Sequence, residues 1–231
     1  KMKIRSFFRP LDYLKRKHDR RFNGLTFANT LSTLLTEKDL ETADVLFCRG
    51  DERNILGRII SFGSSGSYVH TAIYLGDGTV SESTYKSGVR LCKLSEIIER
   101  YPYIVVTRPT FTEIVNLQTN IVKFCTDATK SNTRYSIVGA ALSPVFEFVD
   151  LLMPHRDRTN RPRNPRRTFC SQFVLDAFDY GGYFPNGNHA NGARSPTALA
   201  EENIFKPQGY LSSDNNLPPL IKDDILGTGG G

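Results

Sequence analysis

Tyr68-Val69-His70-Thr71-Ala72-Ile73-Tyr74-Leu75-Gly76-Asp77-Gly78-Thr79-Val80-Ser81-Glu82-Ser83-Thr84 is the stretch whose reading decides the fold. Two runs rich in β-branched and aromatic residues flank a Gly-Asp-Gly turn, which is the signature of a β-hairpin. Pairing Leu75 with Thr79 across the turn sets His70 opposite Thr84 and makes Glu82 the diagonal neighbour of His70 on the same face. A carboxylate there can take the imidazole N–H, fix the tautomer and leave the other ring nitrogen for a second partner. A lone histidine is more often a satisfied core residue, and a hairpin glutamate more often exposed. The shared face is what makes the pair informative.

The second partner comes from the other end of the chain. In Arg167-Thr168-Phe169-Cys170-Ser171-Gln172-Phe173-Val174-Leu175-Asp176-Ala177-Phe178, the apolar residues Phe169, Phe173, Val174, Ala177 and Phe178 recur at helical spacing. Cys170 is therefore expected at or near a helix start, where free N–H groups and the helix dipole favour a thiolate and can hold an oxyanion. The other cysteines, Cys48, Cys92 and Cys125, form no C-x-x-C pair and read as small core hydrophobes, so no metal site is expected. Of the four histidines, His18 and His155 lie in basic segments and read as surface residues; His189, in a loop, is a weaker alternative base than His70.

Around these two segments the chain divides into three. Residues 1–40 are expected to be a basic, mostly helical extension, residues 41–211 the catalytic domain, and residues 212–231 a flexible polar and glycine-rich tail. Within the domain, strands are expected at Ala43–Arg49, Gly88–Lys93 and Tyr103–Arg108. Helices are expected at Ile55–Phe62, at Leu94–Arg100 with Ser95 as its cap, at Thr112–Thr129, and within Ser136–Met153. Gly181-Gly182 should close the Cys170 helix, and Ser195-Pro196-Thr197 should open a last short one, with Ser195 capping and Pro196 in the first turn.

The 231 residues carry 39% hydrophobic side chains, enough for a core, and no apolar run of membrane-spanning length. The net charge of +6 is concentrated in residues 1–24, with nine Lys/Arg against two Asp, and in residues 156–167, with six Arg and one Asp. Such patches suit an anionic surface, membrane or cell wall, or simply solvent. No recognition helix, zinc finger or aromatic–basic RNA-binding pattern accompanies them, so specific nucleic-acid binding is not expected. Met2 reads as the natural start. No secretory signal is recognised, which points to a cytoplasmic protein or to delivery by a non-classical secretion route.

The order Ala43-Asp44-Val45-Leu46-Phe47, then Val69-His70-Thr71-Ala72-Ile73-Tyr74-Leu75-Gly76-Asp77-Gly78, then Glu82, then Phe169-Cys170-Ser171-Gln172-Phe173-Val174, then Ser195-Pro196-Thr197-Ala198-Leu199 resembles the circularly permuted papain-like fold of the NlpC superfamily, in its YiiX/YaeF-type amidase branch. The resemblance covers roughly residues 41–205. It implies an α+β fold with an antiparallel sheet packed against helices and the nucleophile at a helix N-terminus. The histidine precedes the cysteine along the chain, as in the permuted branch. By resemblance Cys170 is the nucleophile, His70 the general base and acid, and Glu82 the orienting acid, with no cofactor. The lecithin:retinol acyltransferase-like branch is also similar, but it has a second histidine where this chain has Glu82, and Asn-Cys-Glu-His-Phe where this chain has Phe169-Cys170-Ser171-Gln172-Phe173. Those departures favour the YiiX-type branch.

The expected activity is cysteine-dependent hydrolysis of an amide bond through a thioester acyl-enzyme. Ser67, Tyr68 and Ser171 are expected to line the cleft. The first substrate expectation is a bacterial cell-wall peptide, with the protein acting as a delivered antibacterial effector that has a delivery machinery and an immunity partner. The second is a lipid or N-acyl amide at a membrane surface, as a hydrolase or acyltransferase. The third is a binding module that keeps the fold without the chemistry.

Overall fold

A computed structural model describes residues 33–49, 68–101, 103–110, 114–135, 167–184, 195–201 and 204–213. The expected helices at Ile55–Phe62 and Ser136–Met153 lie outside the described residues, as do residues 1–32, most of the arginine–proline loop and most of the tail.

The protein is α+β. Six strands form an antiparallel sheet: β1 (Val45–Arg49), β2 (Tyr68–Gly76), β3 (Thr79–Thr84), β4 (Gly88–Lys93), β5 (Tyr103–Pro109) and β8 (Phe205–Ser212), in the order β4-β3-β2-β1-β5-β8. The short β6 (Arg134–Tyr135) and β7 (Arg167–Thr168) pair in parallel as a separate two-stranded element. The described helices are α1 (Leu94–Arg100), α2 (Leu117–Lys130), α3 (Cys170–Tyr180) and α4 (Pro196–Glu201).

Both faces of the sheet are covered, which explains the unbroken apolar runs of β1 and β5. Val45, Phe47, Ile73 and Val105 pack with Ile121 of α2, Phe173, Val174 and Phe178 of α3, and Leu199 of α4. The alternate residues Leu46, Cys48, Ala72, Tyr74, Ile104 and Val106 pack with Leu94 and Ile97 of α1. A strand with helices on both sides has no solvent face, so the period of two disappears from its sequence.

The hairpin forms with Ala72 opposite Glu82 and Tyr74 opposite Val80, the register expected from sequence. Only the tip differs. Gly76 rather than Leu75 pairs with Thr79, with an irregularity after Tyr74. Asp77 (φ 48°) and Gly78 (φ 65°) are both left-handed, as the two central residues of a type I′ turn must be.

Several local expectations are corrected. Ser95 is not the cap of α1: Lys93 precedes the helix and its N–H donates to the Glu96 carboxylate at 3.3 Å, while Ser95 lies inside the first turn. α2 begins at Leu117 rather than Thr112, because Asn116 takes a left-handed φ of 63°. Residues 33–35 do not continue a helix; they run beside β8, with the Tyr210 N–H donating to the Thr33 carbonyl at 2.9 Å. β8 itself was not expected, since Pro207 and Gly209 interrupt its pattern.

α3 ends as its glycines require. Gly182 (φ 82°) is left-handed, the Tyr183 N–H donates to the Phe178 carbonyl at 2.9 Å and the Gly182 N–H to Asp179 at 3.0 Å, which is a Schellman closure. α4 is capped by Ser195, whose Oγ accepts the Ala198 N–H at 3.2 Å.

Candidate active site

β2 brings His70 to the site, and its start is held by α4. The Thr197 hydroxyl accepts the Tyr68 N–H at 3.2 Å and donates to the Tyr68 carbonyl at 3.4 Å, two residues before His70. β3 carries Glu82. Ser83, the next residue, donates its hydroxyl to the Thr168 carbonyl at 3.2 Å, which ties β3 to the residues that lead into α3. Phe169 and Phe173 are buried in the core below, so Cys170 opens α3 from a fixed base.

These elements bring three side chains together. His70 Nε2 donates to Glu82 Oε2 at 2.8 Å. The Cys170 thiol and the His70 ring lie close enough for each to act on the other's ionisation. Because Nε2 is committed to Glu82, Nδ1 is the ring nitrogen left for sulfur. The Thr71 main chain also helps hold the thiol below its ordinary value. Among the described residues the buried Thr71 hydroxyl has no hydrogen-bond partner.

The environment is dry but not sealed. Glu82 is fully buried, Cys170 is 4% exposed and His70 7%. Burial alone opposes charge on the His70 ring, yet the hydrogen bonds to Cys170 and Glu82 and their negative charges outweigh it and push the imidazole up to about 9. Burial likewise opposes ionisation of Cys170, but the hydrogen bond and charge of His70, with the Thr71 dipoles, hold the thiol below its ordinary value. The arrangement therefore favours a thiolate–imidazolium pair.

Sequence reasoning missed the shell behind these side chains. Glu82 Oε1 accepts from Arg90 Nε at 2.9 Å and from Arg100 Nη2 at 2.7 Å, and Arg90 Nη2 lies 2.7 Å from it as an ion pair. The Cys92 thiol lies 3.6 Å from the same oxygen. Burial raises the Glu82 carboxyl, but His70 and the guanidinium groups overcome that and hold it well below the usual carboxylate range. The Tyr101 ring, immediately after α1, stacks on His70 with centroids 5.6 Å apart and planes 14° from parallel. Arg90 lies directly opposite Glu82 on β4, so the register of β3 with β4 would have found it. Arg100 and Tyr101 are at the end of a helix on another layer, and no local pattern announces them.

The remaining thiols sit in a different chemistry. Burial and the Glu82 charge push Cys92 up to about 12, burial pushes Cys125 up to about 12, and burial with the Glu82 charge raises Cys48 well above its ordinary value. Tyr68 and Ser171, expected along the cleft, are both fully buried, and Tyr68 packs against Phe47 with ring centroids 5.6 Å apart. Ser67, His18, His155 and His189 lie outside the described residues. Among the described residues no group of three or more His, Cys, Asp or Glu is arranged to hold a metal ion, and no helix is long and apolar enough to cross a membrane.

No family model matches the chain. It is 27% identical over 220 residues to the probable lipoprotein peptidase YaeF of Escherichia coli (strain K12), covering 81% of this chain and 74% of that protein. A crystal structure described as the metalloprotein YiiX of Escherichia coli O157:H7 superposes with a TM-score of 0.46 at 13% identity, over 73% of this chain and 96% of that one. The chain is thus similar in sequence to a protein named as a peptidase.

Proposed function

We propose that this protein is a cysteine hydrolase that cleaves an amide bond in a peptide, with Cys170 as nucleophile, His70 as general acid and base, and Glu82 as the acid that orients the imidazole. The observation that carries the reading is the buried His70–Glu82 pair at 2.8 Å, with the Cys170 thiol, at the first residue of a helix, acting on the same imidazole. The peptidase name of the YaeF relative supports a hydrolase and a peptide substrate.

The Cys170 thiolate attacks the scissile carbonyl, and N–H groups of the first turn of α3 are placed to take the oxyanion, since a helix start offers donors with no intrahelical acceptor. His70 gives its proton to the leaving amine. It then takes a proton from water as that water attacks the thioester, and the carboxylic acid leaves with Cys170 restored. Glu82 keeps Nε2 protonated throughout, so Nδ1 alone exchanges the proton.

Cell-wall peptides are the first substrate to test. Incubation with purified peptidoglycan, followed by mass spectrometry, is expected to release muropeptide fragments with the wild type and none with Cys170→Ala. Fatty acid released from vesicles without any muropeptide would replace the peptide substrate by an acyl amide. Equal alkylation of Cys170, Cys48, Cys92 and Cys125 would overturn the hydrolase reading altogether.

A further inference from the structure

The carboxylate behind His70 is divided. Oε2 faces the imidazole, while Oε1 accepts hydrogen bonds from two guanidinium groups that come from different elements, Arg90 on β4 and Arg100 at the end of α1, and Arg90 Nη2 also lies 2.7 Å from it. Each arginine is itself held: Arg90 Nη1 meets Glu96 Oε2 at 3.3 Å, and Arg100 Nε donates to the Glu96 carbonyl at 3.1 Å. Their side chains are about one-third exposed, at 32% and 36%, so both charges stay hydrated on one side while Glu82 is fully buried between them and His70. A single carboxylate beside an imidazole needs one counter-charge. Here it has two more, which is more positive charge than orientation alone requires.

We propose that Arg90 and Arg100 are positioning residues for the hydrolysis: together they lock Glu82 with Oε2 toward His70 and offset enough of its negative charge that the imidazolium can still release its proton to the leaving group. This rests on the hydrolase reading above. Without the arginines, the uncompensated carboxylate holds the imidazolium proton more tightly, and His70 becomes a poorer acid for the leaving amine. Among the described residues, the groups that face this network are Cys170 of α3, Cys48 of β1 and Tyr101 after α1 around His70, and Cys92 of β4 and Glu96 of α1 around Glu82 and the arginines.

The test is the pH profile of Cys170 alkylation by iodoacetate, whose anion reads the imidazolium charge, so that the rate falls on the alkaline side as His70 deprotonates. In Arg90→Met and Arg100→Met that alkaline limb is expected to move up by about half a pH unit, the size left to a partly exposed charge after solvent screening. Arg90→Lys and Arg100→Lys, which keep the charge, are expected to restore it. Should the methionine variants not fold, Arg90→Gln and Arg100→Gln keep a donor for Oε1 without the charge and read the same limb. An unmoved limb with a lowered melting temperature would reduce the arginines to a structural brace, and a limb that moves down would reverse the proposal. If the wild type itself alkylates Cys170 no faster than its other thiols, the hydrolase reading falls and takes this inference with it; a wild-type limb that the variants leave in place removes this inference alone.

Discussion

At Cys170, a buried sulfur is chemically separated from three others by what surrounds it. Cys92 faces a carboxylate and Cys125 an apolar core, whereas Cys170 has the His70 imidazole beside it. A limiting dose of a thiol probe at neutral pH is therefore expected to modify Cys170 far ahead of Cys48, Cys92 and Cys125, as read by peptide mass mapping. Cys170→Ala should end hydrolysis and leave the melting temperature close to wild type, since the change is sterically mild at a helix start. His70→Ala should cost about 10²–10⁴-fold in kcat/KM, the usual worth of a general acid–base group. Glu82→Gln should cost less, because an amide oxygen still accepts the Nε2 proton. The His70–Glu82 pairing was open to sequence reasoning because both residues sit in one hairpin. Tyr101 was not, because its contact with His70 crosses layers.

At the scale of elements, the turn between β3 and β4 is where a small change has a large effect. Gly88 has a φ of 67°, and a Cβ added there would lie 2.2 Å from the Thr133 carbonyl oxygen, which accepts the Val89 N–H at 2.9 Å. Gly88→Ala combines left-handed strain with a backbone clash, so a loss of more than about 2 kcal/mol is expected in urea unfolding. The loss should appear also as slower Cys170 alkylation, because β3 carries both Glu82 and the Ser83 link to Thr168. Hairpin, α1, α3 and α4 were all readable from turn residues and apolar spacing. β8 was not, because Pro207 and Gly209 disrupt the run, and it is recruited by the free edge of β5 rather than by its own propensity. The start of α2 was misplaced because Asn116 breaks the helix by its backbone angle, which Thr112–Asn116 does not advertise.

At the scale of the whole molecule, the buried Glu82 network links folding to acid. The folded carboxyl is held below the value of an unfolded one, so its contribution is present above the ordinary carboxyl range and fades as pH falls below about 4.3. Glu82→Gln leaves two partly exposed arginines without the buried charge they share. A cost of about 1–3 kcal/mol is expected near pH 7, less than for a fully buried pair because both arginines can rehydrate. Thermal melts of wild type and variant should converge as pH is lowered from 6 toward 3; a gap that stays constant would show that the fold does not hold the Glu82 carboxyl below its unfolded value. The alkaline side is less informative. His70, raised to about 9, loses its contribution as pH rises through that value, while the lowered thiol of Cys170 gains over the same range, and the two oppose each other.

What the amino-acid order determined by itself was local: a type I′ hairpin from Asp77-Gly78, a helix opening at Cys170, and a shared face for His70 and Glu82, each set by backbone preferences and spacings of a few residues. What only the tertiary structure decided was the meeting of these pieces. The sheet order places β2 between β3 and β1, α3 brings sulfur to a ring a hundred residues earlier, and α1 turns Arg100 and Tyr101 onto the far side of the same pair. The reason is physical. Burying both faces of one sheet forces distant segments into contact, and a buried carboxylate persists only where charges from those segments converge on it.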